Sequence, residues 1–408
     1  MTIGESDPRL PPAEFIPLVA LMFSLVAMSV DAMLPALPAI GADFSLADAN
    51  DTQLVVGSLL FGLAFGQLLA GPLSDSYGRK PVICAGFALF MGGTLLSIFA
   101  PDFNWMIAGR VLQGFGAAGP RIVTIALVRD QYQGPAMARI MSFALSVFIL
   151  VPAIAPAFGL GILIMAGWRA IFATFFLVAL VALLWFMLRQ PETLAPECRA
   201  AFQARRIMKA AREVCTTRAA IGHTIATGLI FASFVGYLSS AQQVFQDTYG
   251  VGDWFPAYFG ALALCIGCAS VLNGRLVIRH GMHRISRAAV HALTGISLVF
   301  LGVAWIFDGL PPLWLFMGLL VPVFFCVGLL FGNLNALSMA PLGHIAGVGA
   351  AVVGFVATLI SVPIGAAIGQ AYDGTVTALV SGFSMFAAGA MAAIHWAQRE
   401  RPEGGQGP

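Results

Sequence analysis

A short polar segment, GPLSDSYGRK (residues 71–80), separates two long apolar runs at 52–73 and 81–100. Each run is close to the ~20 residues that an α-helix needs to cross the ~30 Å hydrocarbon core of a bilayer. The segment ends in two adjacent cations, a charge pattern typical of a membrane surface. The sequence therefore predicts a pair of membrane-spanning helices joined by a tight, charged turn.

The whole chain has the composition of a membrane protein. Of its 408 residues, 59% are hydrophobic and only 10% are charged, so a water-soluble fold would expose far too much apolar surface. The net charge is +2 and there is no Lys/Arg-rich tail, which argues against nucleic acid as a partner. We expect the lipid bilayer to solvate most of the surface.

Twelve apolar runs of spanning length occur between charges or Pro/Gly breaks. Because these runs are continuous and do not alternate with polar residues, they predict helices and not a barrel. The predicted fold class is therefore an all-α integral membrane protein with twelve transmembrane helices. The predicted spans are 15–38, 52–73, 81–100, 104–128, 137–166, 168–189, 219–245, 254–278, 286–307, 311–338, 345–370 and 375–397.

The longest polar stretch, residues 191–218, divides the predicted spans into two sets of six. The turn GPLSDSYG (71–78) after the second span has a partial copy, GRLVIRHG (274–281), after the eighth, with Ile278 in place of Asp75. Duplicated halves with sites at the midplane between them are typical of secondary transporters. We predict two pseudo-symmetric bundles: an N-terminal six-helix bundle at 1–190, a cytosolic linker at 191–218 and a C-terminal six-helix bundle at 219–408.

Charges near the span ends predict the orientation. With the N-terminus inside, 18 of the 21 Lys and Arg residues fall on the cytosolic side, whereas the outer loops contain Arg169 as their one cation. The first residues, MTIGESDPRLPPAEF (1–15), lack the basic lead-in of a cleavable signal. We therefore expect both termini in the cytosol and a multi-pass protein of a bacterial inner membrane.

Three segments carry a resemblance to a known family. GPLSDSYGRK (71–80) resembles the signature loop between the second and third spans of the major facilitator superfamily, and RVLQGFGAAG (110–119) resembles its fourth-span motif. DAMLPALPAI (31–40) is similar to the first span of its drug:proton antiporters of the Bcr/CflA type. The resemblance covers essentially the whole chain. It implies the major facilitator fold and proton-coupled efflux, by antiport and alternating access, of small amphiphilic compounds or drugs.

In that superfamily, contacts of the signature loop hold the cytosolic side closed in the outward-facing state. Glycines at the loop permit close helix approach and a tight turn. The charges themselves predict Asp75 against the positive N-terminal end of a neighbouring helix and Arg79 against a carboxylate such as Asp130. A simple topology anchor is the alternative, but it explains only the cations. The predicted cytosolic gate consists of Gly71, Asp75, Gly78, Arg79, Lys80 and Asp130.

Asp31 and Arg110 are charged residues inside the first and fourth predicted spans. They lie about seven and six residues from the outer ends, so at about 1.5 Å per residue both are roughly 10 Å below the outer surface. Intramembrane charges need protein, water or a counter-charge, which predicts an ion pair or a shared hydrogen-bond network. We assign proton coupling to Asp31 with Arg110 as its modulator, because changing their separation changes the proton affinity of the carboxylate. A static ion pair is the alternative.

Several polar or aromatic residues inside the spans are candidate substrate contacts. Arg121 has no place in the superfamily pattern, and it either snorkels to the inner interface or favours an anionic or zwitterionic substrate. The aromatic series of the seventh span serves either packing or a wide apolar pocket. A proton-coupled carrier for a specific metabolite on the same fold is therefore the alternative function. The candidate contacts are Gln113, Arg121, Phe231, Phe234, Tyr237, Asn333 and Asn335.

The fifth span contains VPAIAPAFGLG (151–161), which resembles the antiporter motif of the superfamily, although two alanines stand where a stricter copy is richer in glycine. Pro152, Pro156 and Gly159 are the predicted antiporter-like hinge. A kinkable helix of small residues suits a rocking motion, and ordinary close packing is the alternative.

The sequence argues against other classes of membrane protein. An intramembrane enzyme needs convergent catalytic groups at one depth, and an ATP-driven pump needs a GxxxxGK[ST] phosphate loop; the sequence has neither pattern. No metal-ligand cluster is recognisable, so we expect no metal and no cofactor. The expected partners are a small-molecule substrate, protons and lipid. A monomer is favoured because the two halves already build a complete pathway.

Overall fold

The computed structural model describes residues 10–398, apart from eight side chains within 135–149. The chain divides into two compact units, Met1–Gln203 (unit 1) and Ala204–Pro408 (unit 2), and this division falls inside the predicted linker. The helices are α1 (Pro12–Asp31), α2 (Leu37–Asp43), α3 (Leu54–Tyr77), α4 (Arg79–Ile98), α5 (Phe103–Ala118), α6 (Thr124–Gln131), α7 (Gly134–Ala166), α8 (Trp168–Arg189), α9 (Ala204–Thr216), α10 (Arg218–Gln243), α11 (Phe255–His280), α12 (Met282–Ile306), α13 (Leu313–Met339), α14 (Ala346–Gln370) and α15 (Thr377–Gln398).

Each of the twelve predicted spans coincides with helical structure. Within residues 10–398, ten helical segments are long and apolar enough to cross a membrane, and the longest, Leu313–Gln370, contains the two spans of α13 and α14. The predicted fifth span, 137–166, lies in α7. The all-α membrane fold is thus confirmed. Of the 18 Lys and Arg residues that predict the orientation, three lie outside the described residues: Arg9, Arg399 and Arg401.

Two predicted spans of unit 1 are interrupted at prolines. Pro35 has no N–H to donate to the carbonyl of Asp31, four residues earlier, so α1 ends there and a 3₁₀ turn, Leu34–Ala36, leads into α2. Pro120 lies in a π-helical turn, Gly119–Val123, which connects α5 to α6. Such turns inside helices are frequently associated with function. Both interruptions lie next to candidate site residues.

Glycines bring α5 directly against α3. A Cβ atom added to Gly114 would lie 1.9 Å from the carbonyl oxygen of Leu59, and one added to Gly62 would lie 2.0 Å from that of Val111. Neither position accepts a side chain, so the two helix backbones are in contact, as small residues permit in membrane proteins. This contact fixes the position of α5 and therefore of the residues that it carries.

Unit 2 begins with the amphipathic helix α9. Ala210 and Val214 are buried on one side of this helix, whereas Arg205 and Arg206 are exposed to solvent. Oε1 of Glu213 lies 2.6 Å from Nε2 of His344, within hydrogen-bond distance. The predicted linker therefore contains a helix that packs onto the rest of unit 2.

Candidate functional site

Asp31 is a buried carboxylate at the point where α1 ends. It is 5% exposed and, within residues 10–398, it forms no ion pair and accepts no side-chain hydrogen bond. A charged carboxylate in such a place is unfavourable unless it is protonated or meets a cation or water. The site can therefore hold a proton or bind a cationic group, but the ionised form without a partner is disfavoured.

Arg110 is fully buried and its guanidinium is held mainly by main-chain oxygens. Its Nε donates to the carbonyl of Val55 (2.9 Å) and its Nη2 to that of Ser29 (3.0 Å). Nη1 donates to Oε1 of Gln113 (2.6 Å), and Nε2 of Gln113 donates in turn to Oγ1 of Thr94 (2.9 Å). The network joins α1, α3, α4 and α5 at one point.

Of the two arrangements predicted for Arg110 and Asp31, an ion pair or a shared hydrogen-bond network, the ion pair is not formed. Arg110 instead reaches α1 through the carbonyl of Ser29, two residues before Asp31. The guanidinium needs no carboxylate because its donors find carbonyl and amide acceptors, which the sequence does not reveal. Gln113, a candidate substrate contact, uses its side-chain amide within the same network. Arg110 therefore positions α1 next to Asp31.

Helix α7 passes very close to the same break in α1. A Cβ atom added to Gly159 would lie 1.7 Å from the carbonyl oxygen of Ala32, the residue after Asp31. Pro152 and Pro156 lie inside α7, one to two turns before this contact. The resemblance to the antiporter motif thus falls on residues that bring α7 onto the backbone beside the buried carboxylate.

The predicted cytosolic gate is centred on the buried side chain of Arg79. Its Nε donates to Oδ2 of Asp130 (2.9 Å), so the predicted contact is present. Its Nη1 donates to Oδ1 of Asp75 (2.5 Å) and to Oγ of Ser74 (2.9 Å). Asp75 therefore pairs with Arg79 and not with the N-terminus of a neighbouring helix, the predicted partner. One guanidinium connects the end of α3 with α6.

Glu192 is a functional candidate that sequence reasoning missed. Its carboxylate accepts the main-chain N–H groups of Arg79 and Lys80, both at 3.0 Å, and so caps the N-terminus of α4. Gly78 precedes them with φ 104°, a left-handed conformation that favours glycine. The one available signal was the acid in Pro191-Glu192 directly after the sixth span, but nothing in the sequence pairs it with a turn more than 100 residues earlier.

The predicted gate also contains Gly71 and Lys80, which take no part in the ion pairs of Arg79. A Cβ atom added to Gly71 would meet nothing within 4 Å, so the close helix approach expected at this glycine is wrong. Lys80 places its Nζ 2.8 Å from the main-chain oxygen of Met187, at the end of α8. Its side chain is therefore part of the connection between α4 and α8.

The cap at α4 is sensitive to pH. Burial alone would raise the pKa of Glu192, but its main-chain hydrogen bonds outweigh that effect and hold the pKa below the ordinary value. Because the pKa is lower in the folded state than in the unfolded state, the cap stabilises the fold fully above the unfolded value, about 4.3. The stabilisation is lost as the pH falls through the folded value. The donors belong to Leu194, Arg79, Lys80 and Thr193.

We expect Glu192→Gln to lower the stability of the purified protein at pH 7 by about 1 kcal/mol, the usual loss for a helix N-cap. The difference in melting temperature between variant and native protein should shrink below about pH 4. Thermal unfolding in detergent, at pH 7 and below about pH 4, measures this difference in melting temperature. Glu197→Gln, an exposed acid in the same segment, is the control. A difference that does not depend on pH would contradict the role of the carboxylate charge.

The aromatic candidates of α10 form one cluster. Phe231 and Phe234 are half-buried and stack with ring centroids 5.7 Å apart. Tyr237 is buried, and its ring lies 4.7 Å from that of Phe324 and 5.7 Å from that of Phe259. Tyr237 therefore packs between α10, α11 and α13, whereas the two phenylalanines retain partly open faces.

The two candidate asparagines of α13 are in different environments. Asn333 is buried and exchanges two hydrogen bonds with Asn273 of α11: each Nδ2 donates to the partner Oδ1, at 2.9 and 2.8 Å. Asn335 is exposed. The amide of Asn333 is thus engaged in a contact between helices. Arg121, the candidate cation, is half-buried in the π-helical turn after α5.

We expect Asn333→Leu to lower thermal stability while transport persists, because the amide of Asn273 is left without its partner. Interhelical hydrogen bonds in membranes contribute roughly 1 kcal/mol. The double variant Asn273→Leu/Asn333→Leu should recover part of the loss, since removing both polar groups is far less unfavourable than removing one. Melting temperature and transport are measured on the same preparations. Lost transport in a double variant of native stability would instead indicate a substrate contact.

The comparisons with known proteins agree with this architecture. The family model of the Major Facilitator Superfamily matches residues 19–366. The MFS-type transporter YdgK of Bacillus subtilis is 29% identical over 350 residues, 84% of this chain and 85% of that protein. A bicyclomycin resistance protein homolog of Haemophilus influenzae is 30% identical over 293 residues, 70% of this chain and 72% of that one.

Solved structures show the same fold. A D-xylose-proton symporter covers 96% of this chain, and this chain covers 98% of it, with a TM-score of 0.74 and 15% identity. The match to the human organic anion transporter MFSD10 covers 96% of this chain and 100% of that one, with a TM-score of 0.70 and 16% identity. The chain therefore belongs to the Major Facilitator Superfamily, whose members are membrane transporters and not enzymes.

Proposed function

We propose that this protein exports small amphiphilic compounds from a bacterial cell in exchange for protons, by alternating access. The proposal includes an orientation with both termini in the cytosol, location in the inner membrane and function as a monomer. In this orientation the predicted gate, centred on Arg79, faces the cytosol. Protons enter down their gradient while the compound leaves.

The observation that carries the proposal is the buried carboxylate of Asp31 at the break in α1. A carboxylate without a fixed counter-charge is tolerable in two states, neutral with a bound proton or ionised beside a cationic group. The ionised form without a partner is disfavoured. The site must therefore exchange a proton for a cationic compound and is rarely empty. Such an exchange couples the inward movement of protons to the outward movement of the compound.

The names of relatives support export of drugs. One relative is a bicyclomycin resistance protein homolog, and another is the multidrug resistance protein MdtL of Salmonella schwarzengrund, 33% identical over 181 residues, 43% of this chain and 46% of that one. The half-buried rings of Phe231 and Phe234 on α10 suit amphiphilic compounds, because flat apolar surfaces with few polar anchors discriminate weakly.

A carrier for a specific metabolite is the second candidate. Arg121 supports it, because a half-buried guanidinium on a π-helical turn suits a carboxylate or phosphate group better than a lipophilic cation. On this alternative the substrate has an anionic group and the range of accepted compounds is narrow.

Transport in inside-out vesicles with an acidic interior tests the proposal. A pH-sensitive dye reports the gradient while lipophilic drugs and amino-acid-like metabolites are added one at a time. Collapse of the gradient by several drugs supports proton-coupled efflux. Collapse by a single metabolite supports the specific carrier, and no collapse beyond that of vesicles without the protein contradicts both.

A further inference from the structure

A cationic cavity of about 630 Å³ lies at the turn between α11 and α12. Five basic or imidazole side chains line it: His280, His283, Arg284, Arg287 and His291. All five residues are exposed. The last three are spaced at i, i+3 and i+7, so they lie along one face of α12. The cavity therefore continues from the turn along the outside of the helix.

The charge of this cavity is not neutralised within the part of the chain that the structure describes. Arg284 forms no hydrogen bond or ion pair with any residue of 10–398. Arg287 donates from Nη2 to Oε1 of Gln398 (2.8 Å), a neutral acceptor. Among residues 204–398, Glu213 is the one acid at this end of unit 2, and it lies within hydrogen-bond distance of His344. Two guanidinium groups remain available to an anion.

The same face of α12 changes from cationic to apolar along its length. Beyond His291, the side chains of Leu298 and Val299 are 55% and 58% exposed. Leu298 is eleven residues from Arg287, which is roughly 17 Å along an α-helix. A cationic end at the membrane surface followed by exposed apolar side chains has the polarity profile of a phospholipid, with a headgroup above and acyl chains below.

We propose that the α11–α12 cavity binds the phosphate group of an anionic phospholipid, whose acyl chains lie along Leu298 and Val299. Arginine recognises phosphate through paired, charge-assisted hydrogen bonds, and basic pockets between membrane helices are suited to acidic headgroups. The apolar continuation of the face selects a lipid over soluble phosphate. The site belongs to unit 2 and shares no residue with the Asp31 site of unit 1, so its failure would leave the proposed transport function untouched.

Titration of the purified full-length protein with phosphatidylglycerol, read by native mass spectrometry, tests the site. We expect one tightly bound lipid, and binding roughly tenfold weaker in Arg284→Gln/Arg287→Gln, which loses two phosphate contacts. Arg205→Gln/Arg206→Gln is the matched control, because it removes the same charge from exposed positions of α9 outside the cavity. This control should bind like the native protein.

Three results would overturn the proposal. The α9 control could lose as much lipid affinity as the cavity variant, or the native protein could bind phosphatidylcholine as tightly as phosphatidylglycerol. Inorganic phosphate could also displace the lipid at a similar concentration. The last result would make a soluble anion the occupant. Arg287 also contacts Gln398, so its loss could disturb α15. The single variant Arg284→Gln avoids this contact, and unchanged lipid binding in it, at native melting temperature, would also overturn the site.

Discussion

Asp31→Asn is expected to abolish the drug-dependent collapse of the pH gradient while the protein remains folded. Asparagine has nearly the same shape but cannot exchange a proton, and it cannot neutralise a cationic compound. The native carboxylate has no ion-pair or hydrogen-bond partner among the side chains that the structure describes, so its removal breaks no polar contact. We therefore expect the melting temperature to stay the same or to rise, because an unfavourable buried charge is no longer possible.

The measurement uses the vesicle assay together with thermal unfolding of the same variant. Asp43→Asn is the matched control: it removes a carboxylate from α2, twelve residues further on, where Asp43 pairs with Arg169 at 2.7 Å. Both partners of that pair are exposed, so its loss should cost less than about 1 kcal/mol and leave transport intact.

The outcome separates coupling from stability. If Asp31→Asn transports normally, Asp31 does not carry the proton and the proposed coupling is wrong. If it loses transport together with its folded state, the residue is structural. Downhill exchange of a neutral compound should persist in a coupling-deficient variant, because that process needs no proton.

The spans were predictable because their signal is local, whereas the gate contact between Arg79 and Asp130 joins residues 51 apart and was expected from opposite charges at one membrane surface. Continuous apolar runs fix the helices. The partners of Arg110 were not predictable, since the carbonyls of Ser29 and Val55 carry no side-chain signal. Gln113, one turn further along the same helix, was the partner that the sequence offered and the structure contains.

Long-range side-chain pairs were missed for a related reason. Glu192 caps the N-terminus of α4, which lies more than 100 residues earlier in the chain. Asn273 of α11 forms hydrogen bonds with Asn333 of α13. A single sequence contains polar residues of these types at many positions, and only packing decides which of them meet. Depth along a span was informative, but the direction of a side chain around the helix was not.

Gly159→Ala should disrupt the contact between α7 and the break in α1, and transport with it. The added methyl would lie 1.7 Å from the carbonyl oxygen of Ala32 and 2.6 Å from its carbonyl carbon. Both are backbone atoms, so relief requires α7 to move away from α1. Forcing extra volume into a tight contact costs about 1–3 kcal/mol, and the displaced segment is the one that holds Asp31.

Gly161→Ala provides a closely matched control. It makes the same chemical change two residues further along α7, but a Cβ atom there meets nothing within 4 Å. We expect this variant to have native stability and transport, or a slight gain in stability, because alanine favours the helix more than glycine does. Thermal unfolding and the vesicle assay are performed on both variants.

The comparison of these two variants isolates the contact from the composition of the motif. If flexibility of the glycine-rich segment is what matters, both substitutions should impair transport to a similar degree, because each removes one glycine from the same helix. If the close approach to Ala32 matters, Gly159→Ala alone should fail. Equal activity of the two would show that α7 can withdraw from the Ala32 carbonyl without loss, and that the buried carboxylate does not depend on this contact for its position.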